Sequence, residues 1–155
     1  MDEDKEYLTK EKHNELTREL ALLKTVRRKE VAEQLEYAKS LGDLSENAEY
    51  QEARNTQGQV EDRISHLEAI LKNAEIVAPR HSSVAGVGST VTVRRVKNGV
   101  EKTYEIVGSE EADTDAGKIS DQSPLGAVLI GKEKGDRVLC CAPAGDVEYE
   151  VVGVQ

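Results

Sequence analysis

The sequence contains no tryptophan and no phenylalanine, and its only aromatic residues are five tyrosines, 3% of the chain. Proteins that bind single-stranded nucleic acid without sequence preference stack the bases on aromatic side chains, so this scarcity argues against such a platform. The formal net charge of −9 argues against a protein that coats nucleic acid by neutralising phosphates. Any contact with nucleic acid must therefore be local or made through a partner, and the charge favours a partner with a basic entrance.

Long apolar runs are missing, and cysteine is scarce. No apolar run approaches 18 residues, so the sequence predicts no membrane span. Residues 1–7 are mostly acidic and lack the basic and apolar segments of a secretory signal, so we expect a cytoplasmic protein. Cys140 and Cys141 are adjacent in a strand-like run, which directs their side chains to opposite faces, and we expect both to stay reduced.

The first 78 residues contain no proline, and their only glycines are Gly42 and Gly58. Apolar side chains recur there at spacings of four and three residues in two runs, the pattern of a coiled-coil seam. The first run comprises Leu16, Leu20, Leu23, Val31, Leu35 and Ala38, and the second comprises Val60, Ile64, Leu67, Leu71 and Ala74. The sequence therefore predicts a long antiparallel coiled-coil hairpin over residues 1–78, with Thr9 as the N-cap of a first helix that begins at Lys10.

The first seam changes phase between Leu23 and Val31, as it does at a stutter in a coiled coil. The basic run Val26-Arg27-Arg28-Lys29 lies at this point. Such a run is either solvated helix surface, as charge runs usually are, or a patch that contacts a phosphate backbone. The sequence alone leaves both interpretations open.

Residues 41–47 separate the two helical runs and form the predicted tip of the hairpin. Gly42 can end a helix in a left-handed conformation, and Asp43 can cap the next helix. Asp43 and Glu46 have the spacing of a capping box, in which each side chain satisfies a backbone N–H. The alternative is a chemical role at the exposed end of the hairpin, because one or two added carboxylates suit Mg²⁺. Of the two carboxylates, we expect that of Asp43 to be the freer.

The second half of the chain has the period of β-strands. A linker over residues 79–88 precedes a compact antiparallel sheet domain over residues 89–155. Its predicted strands cover residues 90–96, 102–107, 137–142 and 147–152, and the turn Asn98-Gly99 joins the first two. Ser123-Pro124 predicts the start of a short helix over residues 125–130, ended by Gly131. The expected fold class is α+β.

Other catalytic or metal sites have little support in the sequence. His13, His66 and His81 share no metal-ligand spacing and have no cysteine nearby, so we expect them to be surface residues. The sequence has neither a glycine-rich phosphate loop that opens a helix nor a nucleophile elbow.

Several strings in this order resemble the Gre family of bacterial transcript-cleavage factors over nearly the whole chain. The tip carries Gly-Asp-Leu-Ser-Glu-Asn-Ala-Glu-Tyr at residues 42–50, followed by Ala53-Arg54. The C-terminal strings are Ile106-Val107-Gly108, Glu111-Ala112-Asp113, Ser123-Pro124-Leu125-Gly126, and Leu129-Ile130-Gly131-Lys132 running into Gly135-Asp136. An isolated Asp-x-x-Glu would be a weak signal, whereas the nine-residue tip followed by these strings is a specific one.

The resemblance implies that the coiled coil enters the secondary channel of bacterial RNA polymerase and that an FKBP-like C-terminal domain docks at the channel's rim. There the protein would act as a monomer on backtracked complexes and stimulate the polymerase's own active centre to cleave the extruded RNA 3′ end. It would thus be an activator rather than a stand-alone nuclease. Asp43 would help to hold a second Mg²⁺, bound only in the complex with polymerase, and Glu46 would help to orient the attacking water.

The resemblance also implies supporting roles. Lys39 and Arg54 would lie near the RNA, although the family often has arginine at the position of Lys39, and lysine cannot make the same bidentate contact. The residues expected to support the tip are Gly42, Leu44, Ser45, Asn47 and Tyr50, and those expected to dock on polymerase are Ser123, Pro124, Leu125 and Gly126. An FKBP-like fold raises the question of prolyl isomerase activity, which we do not expect without tryptophan or phenylalanine to line a pocket.

Two alternatives to a cleavage factor remain. The first is a Gre-fold paralogue that occupies the same channel and inhibits polymerase. A tip crowded with further acidic residues would favour inhibition, whereas this chain has Ser45 between Leu44 and Glu46, which favours cleavage. The second is a structural coiled-coil adaptor whose tip acids only cap a helix.

Overall fold

The computed structural model describes residues 5–43, 45–79 and 81–155. These residues form an N-terminal helical hairpin and a largely antiparallel sheet with a short helix, which confirms the predicted α+β class. The chain divides into two compact units. One unit is His13–Asn73, and the other combines the described residues up to Lys12 with Ala74–Gln155.

The hairpin is built from helix α1 (Lys10–Leu22), a π-helical segment (Leu23–Arg27), helix α2 (Arg28–Ser40) and helix α3 (Ala48–Lys72). Helix α1 begins where the sequence predicts, because the Thr9 hydroxyl oxygen accepts the Lys12 backbone N–H at 3.2 Å. Among the residues that the structure describes, no helix is both long enough and apolar enough to cross a membrane.

The seam of the hairpin buries most of the predicted apolar residues. The predicted residues that are buried are Leu16, Val31 and Ala38 on the first side and Val60, Ile64 and Leu67 on α3. Ala53 and Ile70 of α3 are buried as well. The prediction was wrong at the C-terminal end of α3, where Ile70 is buried in place of Leu71 and Ala74 lies outside the helix. Two bidentate ion pairs link the helices on the surface, Arg28 with Glu61 and Arg63 with Glu19.

The π-helical segment coincides with the predicted change of phase in the seam. Val31 follows Leu23 by eight positions, one more than a heptad. A π-helical turn accommodates one extra residue, so the flanking α-helices can keep their apolar sides on the same face. Leu23–Arg27 therefore absorbs the extra residue of the sequence pattern.

The three basic residues at this segment form ion pairs on the surface of the hairpin. Arg27 contacts Glu30 at 3.2 Å, Arg28 contacts Glu61 at 2.8 Å, and Lys29 is 4.0 Å from Glu33. Hydrogen bonds from Arg28 lower the pKa of Glu61. Because each basic residue has an acidic partner, the structure favours solvated helix surface over a phosphate-binding patch.

Two short strands flank the hairpin in the sequence and differ from the predicted helical section over residues 1–78. Strand β1 (Glu6–Leu8) pairs in parallel with strand β2 (Ala74–Ile76), and Leu8 is fully buried. Gly108 allows β1 to approach, because a Cβ atom there would lie 1.8 Å from the Tyr7 carbonyl oxygen. Both strands belong to the unit that contains the sheet.

The predicted linker over residues 79–88 also extends into the folded sheet unit. Ala85 is buried in the core, its N–H donates to the Lys132 carbonyl, and its carbonyl accepts the Gly131 N–H, each at 2.8 Å. Small side chains are common in linkers, but here the small side chain of Ala85 fits the interior.

The main sheet has the order β5-β4-β3-β7-β6. Its strands are β3 (Thr90–Arg95), β4 (Glu101–Val107), β5 (Lys118–Ser120), β6 (Arg137–Ala142) and β7 (Gly145–Val154). The predicted β3–β4 hairpin is confirmed, and the last two predicted strands, β6 and β7, are present and also pair as an antiparallel hairpin. The parallel pairing of β4 with β5 was not predicted, because three residues carry too little pattern. On β6, Cys140 is buried and Cys141 is exposed, and both are free thiols, as expected.

The core of this unit lies between the sheet and helix α4 (Pro124–Leu129), which begins and ends one residue earlier than predicted. Its buried residues are Ala85, Val91, Val93, Ile106, Ile119, Leu129, Val138 and Val151. Ser123 caps α4 as expected, because its hydroxyl oxygen accepts the Gly126 N–H at 3.1 Å.

Candidate functional site

The candidate site is the connection between α2 and α3. Helix α2 ends with the Leu41 and Gly42 N–H groups bonded to the Ala38 and Lys39 carbonyls, both at 3.2 Å. Gly42 has a φ of +81°, which confirms the predicted left-handed end of the helix.

Asn47, not Asp43, is the N-cap of α3. The side-chain oxygen of Asn47 accepts the Tyr50 backbone N–H at 3.1 Å, and the helix begins at Ala48. The interpretation of Asp43 and Glu46 as a capping box, one of the two left open by their spacing, is therefore wrong. Asn47 and Tyr50 have the same spacing of three as Asp43 and Glu46, and asparagine is as good an N-cap as aspartate. The spacing alone could not distinguish the two pairs.

The amide nitrogen of Asn47 makes a second set of contacts. Its Nδ2 atom donates to the Ala38 carbonyl at 2.7 Å and to the Gly42 carbonyl at 3.3 Å. The half-buried Asn47 side chain thus joins the last turn of α2, the connecting loop and the first turn of α3. These contacts are consistent with the expected role of Asn47 in supporting the tip, which stays a prediction.

The two acidic side chains of the tip are exposed and carry few internal contacts. The Asp43 carboxylate accepts one hydrogen bond, from the Ser45 hydroxyl at 2.9 Å. The Glu46 carboxylate has no hydrogen bond or ion pair within the described residues. Glu46 is therefore the freer of the two, contrary to the expectation that Asp43 would be. The Glu46 backbone N–H donates to the Asp43 carbonyl at 3.4 Å, which closes the turn between them.

The other predicted residues of the tip lie on both sides of this turn. Lys39 is exposed in the last turn of α2, and Arg54 is exposed near the start of α3. Neither forms an ion pair within the described part of the chain. Tyr50 is half-buried, and Leu44 lies outside the described residues. Asp43, Glu46, Lys39 and Arg54 are thus all exposed at or near this turn, and none of them forms an ion pair within the described residues.

The string Ser123-Pro124-Leu125-Gly126 has a clear packing role in the sheet unit. Gly126 is buried, and a Cβ atom there would lie 2.0 Å from the Ser120 carbonyl oxygen. Leu125 packs partly against the core, while Pro124 is exposed. The string therefore fixes α4 on the sheet and leaves Pro124 as its most accessible member.

A cleft of about 1070 Å³ lies beside α4 and is lined by Asp121, Pro79 and Ile130 among other residues. Burial raises the pKa of Asp121, and a hydrogen bond from the Ser120 hydroxyl opposes this only in part. The lining of this cleft is mixed, with apolar residues such as Pro79 and Ile130 beside the charged residues Lys5, Glu75 and Asp121.

The histidines that the structure describes lie at separate places on the chain. His66 and His81 are exposed, as expected, and His13 is half-buried. No group of three or more His, Cys, Asp or Glu side chains in the described ranges is arranged to hold a metal ion.

Two family models match consecutive parts of the sequence. The N-terminal domain of transcription elongation factors matches residues 6–76, and the C-terminal domain of GreA/GreB transcription elongation factors matches residues 80–155. Transcription elongation factor GreA of Bacillus cereus is 45% identical to this chain, with 100% of both chains covered. The chain belongs to the GreA/GreB family of transcription elongation factors.

A second GreA protein and a solved structure also match nearly the whole chain. GreA of Thermosipho melanesiensis is 43% identical, with 96% of each chain covered. Among solved structures, GreA factor homolog 1 of Thermus thermophilus is 29% identical, with 97% of this chain and 99% of that chain covered and a TM-score of 0.45. The family resemblance seen in the tip and C-terminal strings is confirmed by the sequence relatives.

Proposed function

We propose that this GreA/GreB family member binds bacterial RNA polymerase, inserts its hairpin into the secondary channel and stimulates cleavage of the RNA 3′ end in backtracked complexes. The C-terminal unit, FKBP-like in this proposal, docks at the rim of the channel through the string Ser123-Pro124-Leu125-Gly126. The protein acts in the cytoplasm as a monomer. It activates the polymerase active centre and has no nuclease activity by itself.

The observation that carries this proposal is the identity of the α3 cap. A carboxylate that caps a helix has fewer lone pairs for a metal or a water. Because Asn47 satisfies the Tyr50 N–H, neither Asp43 nor Glu46 is needed for that bond. Both carboxylates are exposed at the same turn, which argues against the adaptor whose tip acids only cap a helix.

The donor set fits Mg²⁺ as an incomplete site. Mg²⁺ prefers hard oxygen ligands and keeps several waters, so one or two carboxylates suffice when other ligands come from elsewhere. When bound between the hairpin and polymerase, the metal supplies charge stabilisation and an activated water for phosphodiester hydrolysis. Asp43 would help to hold this metal through its carboxylate, and Glu46 would accept a hydrogen bond from the attacking water and orient it. Two carboxylates alone form no substrate pocket, which is why we propose an activator.

Lys39 and Arg54 bind the extruded RNA in this proposal. Both side chains are exposed near the tip and have no acidic partner among the described residues. The positive charges of Lys39 and Arg54 partly offset the negative charges of Asp43 and Glu46 and attract the RNA phosphates.

The test is cleavage of RNA in stalled, backtracked elongation complexes at limiting Mg²⁺. We expect Asp43→Asn and Glu46→Gln to bind polymerase like the native protein and to lose cleavage by roughly a hundredfold or more. Glu52→Gln, which removes an exposed carboxylate on α3, is the matched control and should cleave normally. Normal cleavage by both tip variants would refute the proposal. Binding that blocks RNA synthesis without cleavage would identify the inhibitory paralogue instead.

A further inference from the structure

The backbone of Asp43 is in an unfavourable conformation. Its φ is +24°, the only positive φ of a non-glycine residue among the described residues. Side chains other than glycine rarely adopt such angles, because the Cβ atom crowds the neighbouring carbonyl. Such a conformation persists only when surrounding contacts hold it.

One side chain supplies these contacts. Rotation about φ of Asp43 turns the peptide group formed by the Gly42 carbonyl and the Asp43 nitrogen. The amide of Asn47 donates to that Gly42 carbonyl and also to Ala38 in the last turn of α2. It thereby ties the peptide that precedes Asp43 to the end of a regular helix.

The other two contacts of Asp43 cannot serve this purpose, because both stay within the loop. The Asp43 carbonyl accepts the Glu46 backbone N–H at 3.4 Å, which closes the turn without reaching either helix. Ser45 donates its hydroxyl to the Asp43 carboxylate at 2.9 Å, but both residues are exposed and belong to the same loop. This bond orients the carboxylate within the loop. Only the Asn47 side chain, half-buried and bonded to both helices, relates the loop to the rest of the hairpin within the described residues.

We infer that Asn47 is a positioning residue that holds the strained Asp43 backbone and so aims the Asp43 carboxylate away from the hairpin. The inference rests on the proposed function, since it assigns to Asn47 a share in cleavage beyond helix capping. A misplacement of about 1 Å in a reacting group can cost roughly a hundredfold in rate. Loss of the two amide donations therefore weakens cleavage even when the helix stays capped.

The two roles of Asn47 can be separated by substitution. Serine is about as good an N-cap as asparagine, so Asn47→Ser retains an oxygen for the Tyr50 N–H. Its single hydroxyl proton cannot replace both donations of the amide. Asn47→Asp also keeps the cap and removes both donors, and it serves as a second variant if the serine variant unfolds at the tip. Ser45→Ala is the matched control, because it removes a bond within the loop only.

The first measurement uses the free protein. We expect Asn47→Ser to melt within a few degrees of the native protein and to change the ¹³Cα shift of Asp43, which reports its backbone angles. An unchanged Asp43 shift in both Asn47 variants would overturn the inference, whatever their activity.

The second measurement is cleavage in backtracked complexes, with polymerase affinity determined in parallel. The inference predicts unchanged affinity and cleavage reduced roughly 10- to 100-fold in Asn47→Ser and Asn47→Asp, with a smaller loss in Ser45→Ala. Native cleavage by both Asn47 variants would overturn it. If Asp43→Asn also cleaves normally, the proposed function fails as well. A loss in the Asn47 variants together with normal cleavage by Asp43→Asn would overturn the inference too, because the Asp43 carboxylate would then have no part in cleavage for Asn47 to support.

Discussion

The Glu111 carboxylate accepts two hydrogen bonds from Thr9, one from its backbone N–H at 2.9 Å and one from its hydroxyl at 2.7 Å. The same hydroxyl oxygen accepts the Lys12 N–H and caps α1. One side chain from the turn after β4 thus fixes the residue that begins the first helix. This contact gives a structural reason for glutamate in the family-like string Glu111-Ala112-Asp113.

We expect Glu111→Gln to lower the free energy of unfolding by about 1–3 kcal/mol, because hydrogen bonds to a charged group are worth about that much. The glutamine amide retains one acceptor oxygen and presents an NH₂ group to the second donor. Urea denaturation of the full chain measures the change. Asp115→Asn, which neutralises an exposed acid in the same unit, is the control and should leave stability unchanged. Equal stability of the two variants would contradict the role of the Thr9 contact.

Gly126 should be intolerant of even one added carbon. A Cβ atom at this position would lie 2.0 Å from the Ser120 carbonyl oxygen, so the backbone of α4 or β5 would have to shift. We expect Gly126→Ala to destabilise the sheet unit by about 1–3 kcal/mol, as overpacking usually does. Thermal unfolding followed by circular dichroism measures this.

Gly58 provides the comparison for Gly126. It lies inside α3, and nothing is within 4 Å of the position that a Cβ atom would take. Gly58→Ala should stabilise the helical hairpin by about 1 kcal/mol, because alanine is the better helix former. Opposite signs for the two substitutions are the expected result, and destabilisation by both would indicate a contact of Gly58 absent from the structure.

The local parts of this fold were predictable from the sequence. A coiled-coil seam repeats every few residues, and caps such as Thr9 and Ser123 act on a backbone N–H three residues ahead. The pairing of β1 with β2 was not predictable, because each strand has three residues and they are far apart in the chain. Three residues carry no period that could be detected.

The candidate site was predictable in its location but not in its hydrogen bonds. Three polar side chains in the tip, Asp43, Ser45 and Asn47, are all acceptable caps by their chemistry. Only the Asn47 side chain joins an acceptor oxygen to an amide group that can donate two hydrogen bonds, and this amide reaches the carbonyls of Ala38 and Gly42. Which of the three residues caps α3 depends on where the last turn of α2 lies in space. The sequence around α3 gives no information about that position.

The π-helical segment leads to a prediction about deletions. Removing Thr25 leaves seven positions between Leu23 and Val31, so a continuous α-helix would keep both apolar runs on one face. We expect the Thr25 deletion to retain the native helix content and at least the native stability, since π-helical turns are less favourable than α-helix. Circular dichroism and urea denaturation measure the two quantities.

A deletion in regular helix is the control for this prediction. Removing Asp62 from α3 rotates one side of the seam by about 100° relative to the other. Large apolar side chains such as Ile64 and Val60 can then no longer lie on the same face of α3. Each one that becomes exposed should lower the free energy of unfolding by about 1.5–3 kcal/mol. Similar losses for the Thr25 and Asp62 deletions would show that the π-helical segment does not absorb an extra residue.

Asp121 should make the stability of the protein depend on pH. Burial raises the pKa of Asp121 above its ordinary value, so the folded state holds its proton to a higher pH than the unfolded state does. The stabilising contribution of Asp121 is therefore fully present below the pKa of its side chain in the unfolded protein, about 3.9. It is lost as the pH rises through the higher pKa of the folded protein. Asp121→Asn removes this half-buried charge, so it should be more stable than the native protein at pH 7 and lose that advantage near pH 4. Urea denaturation of both proteins at several pH values between 4 and 7 tests the prediction, with Asp115→Asn as a control at an exposed carboxylate. A variant less stable than native at pH 7 would mean that the Asp121 carboxylate makes a favourable contact that outweighs its desolvation.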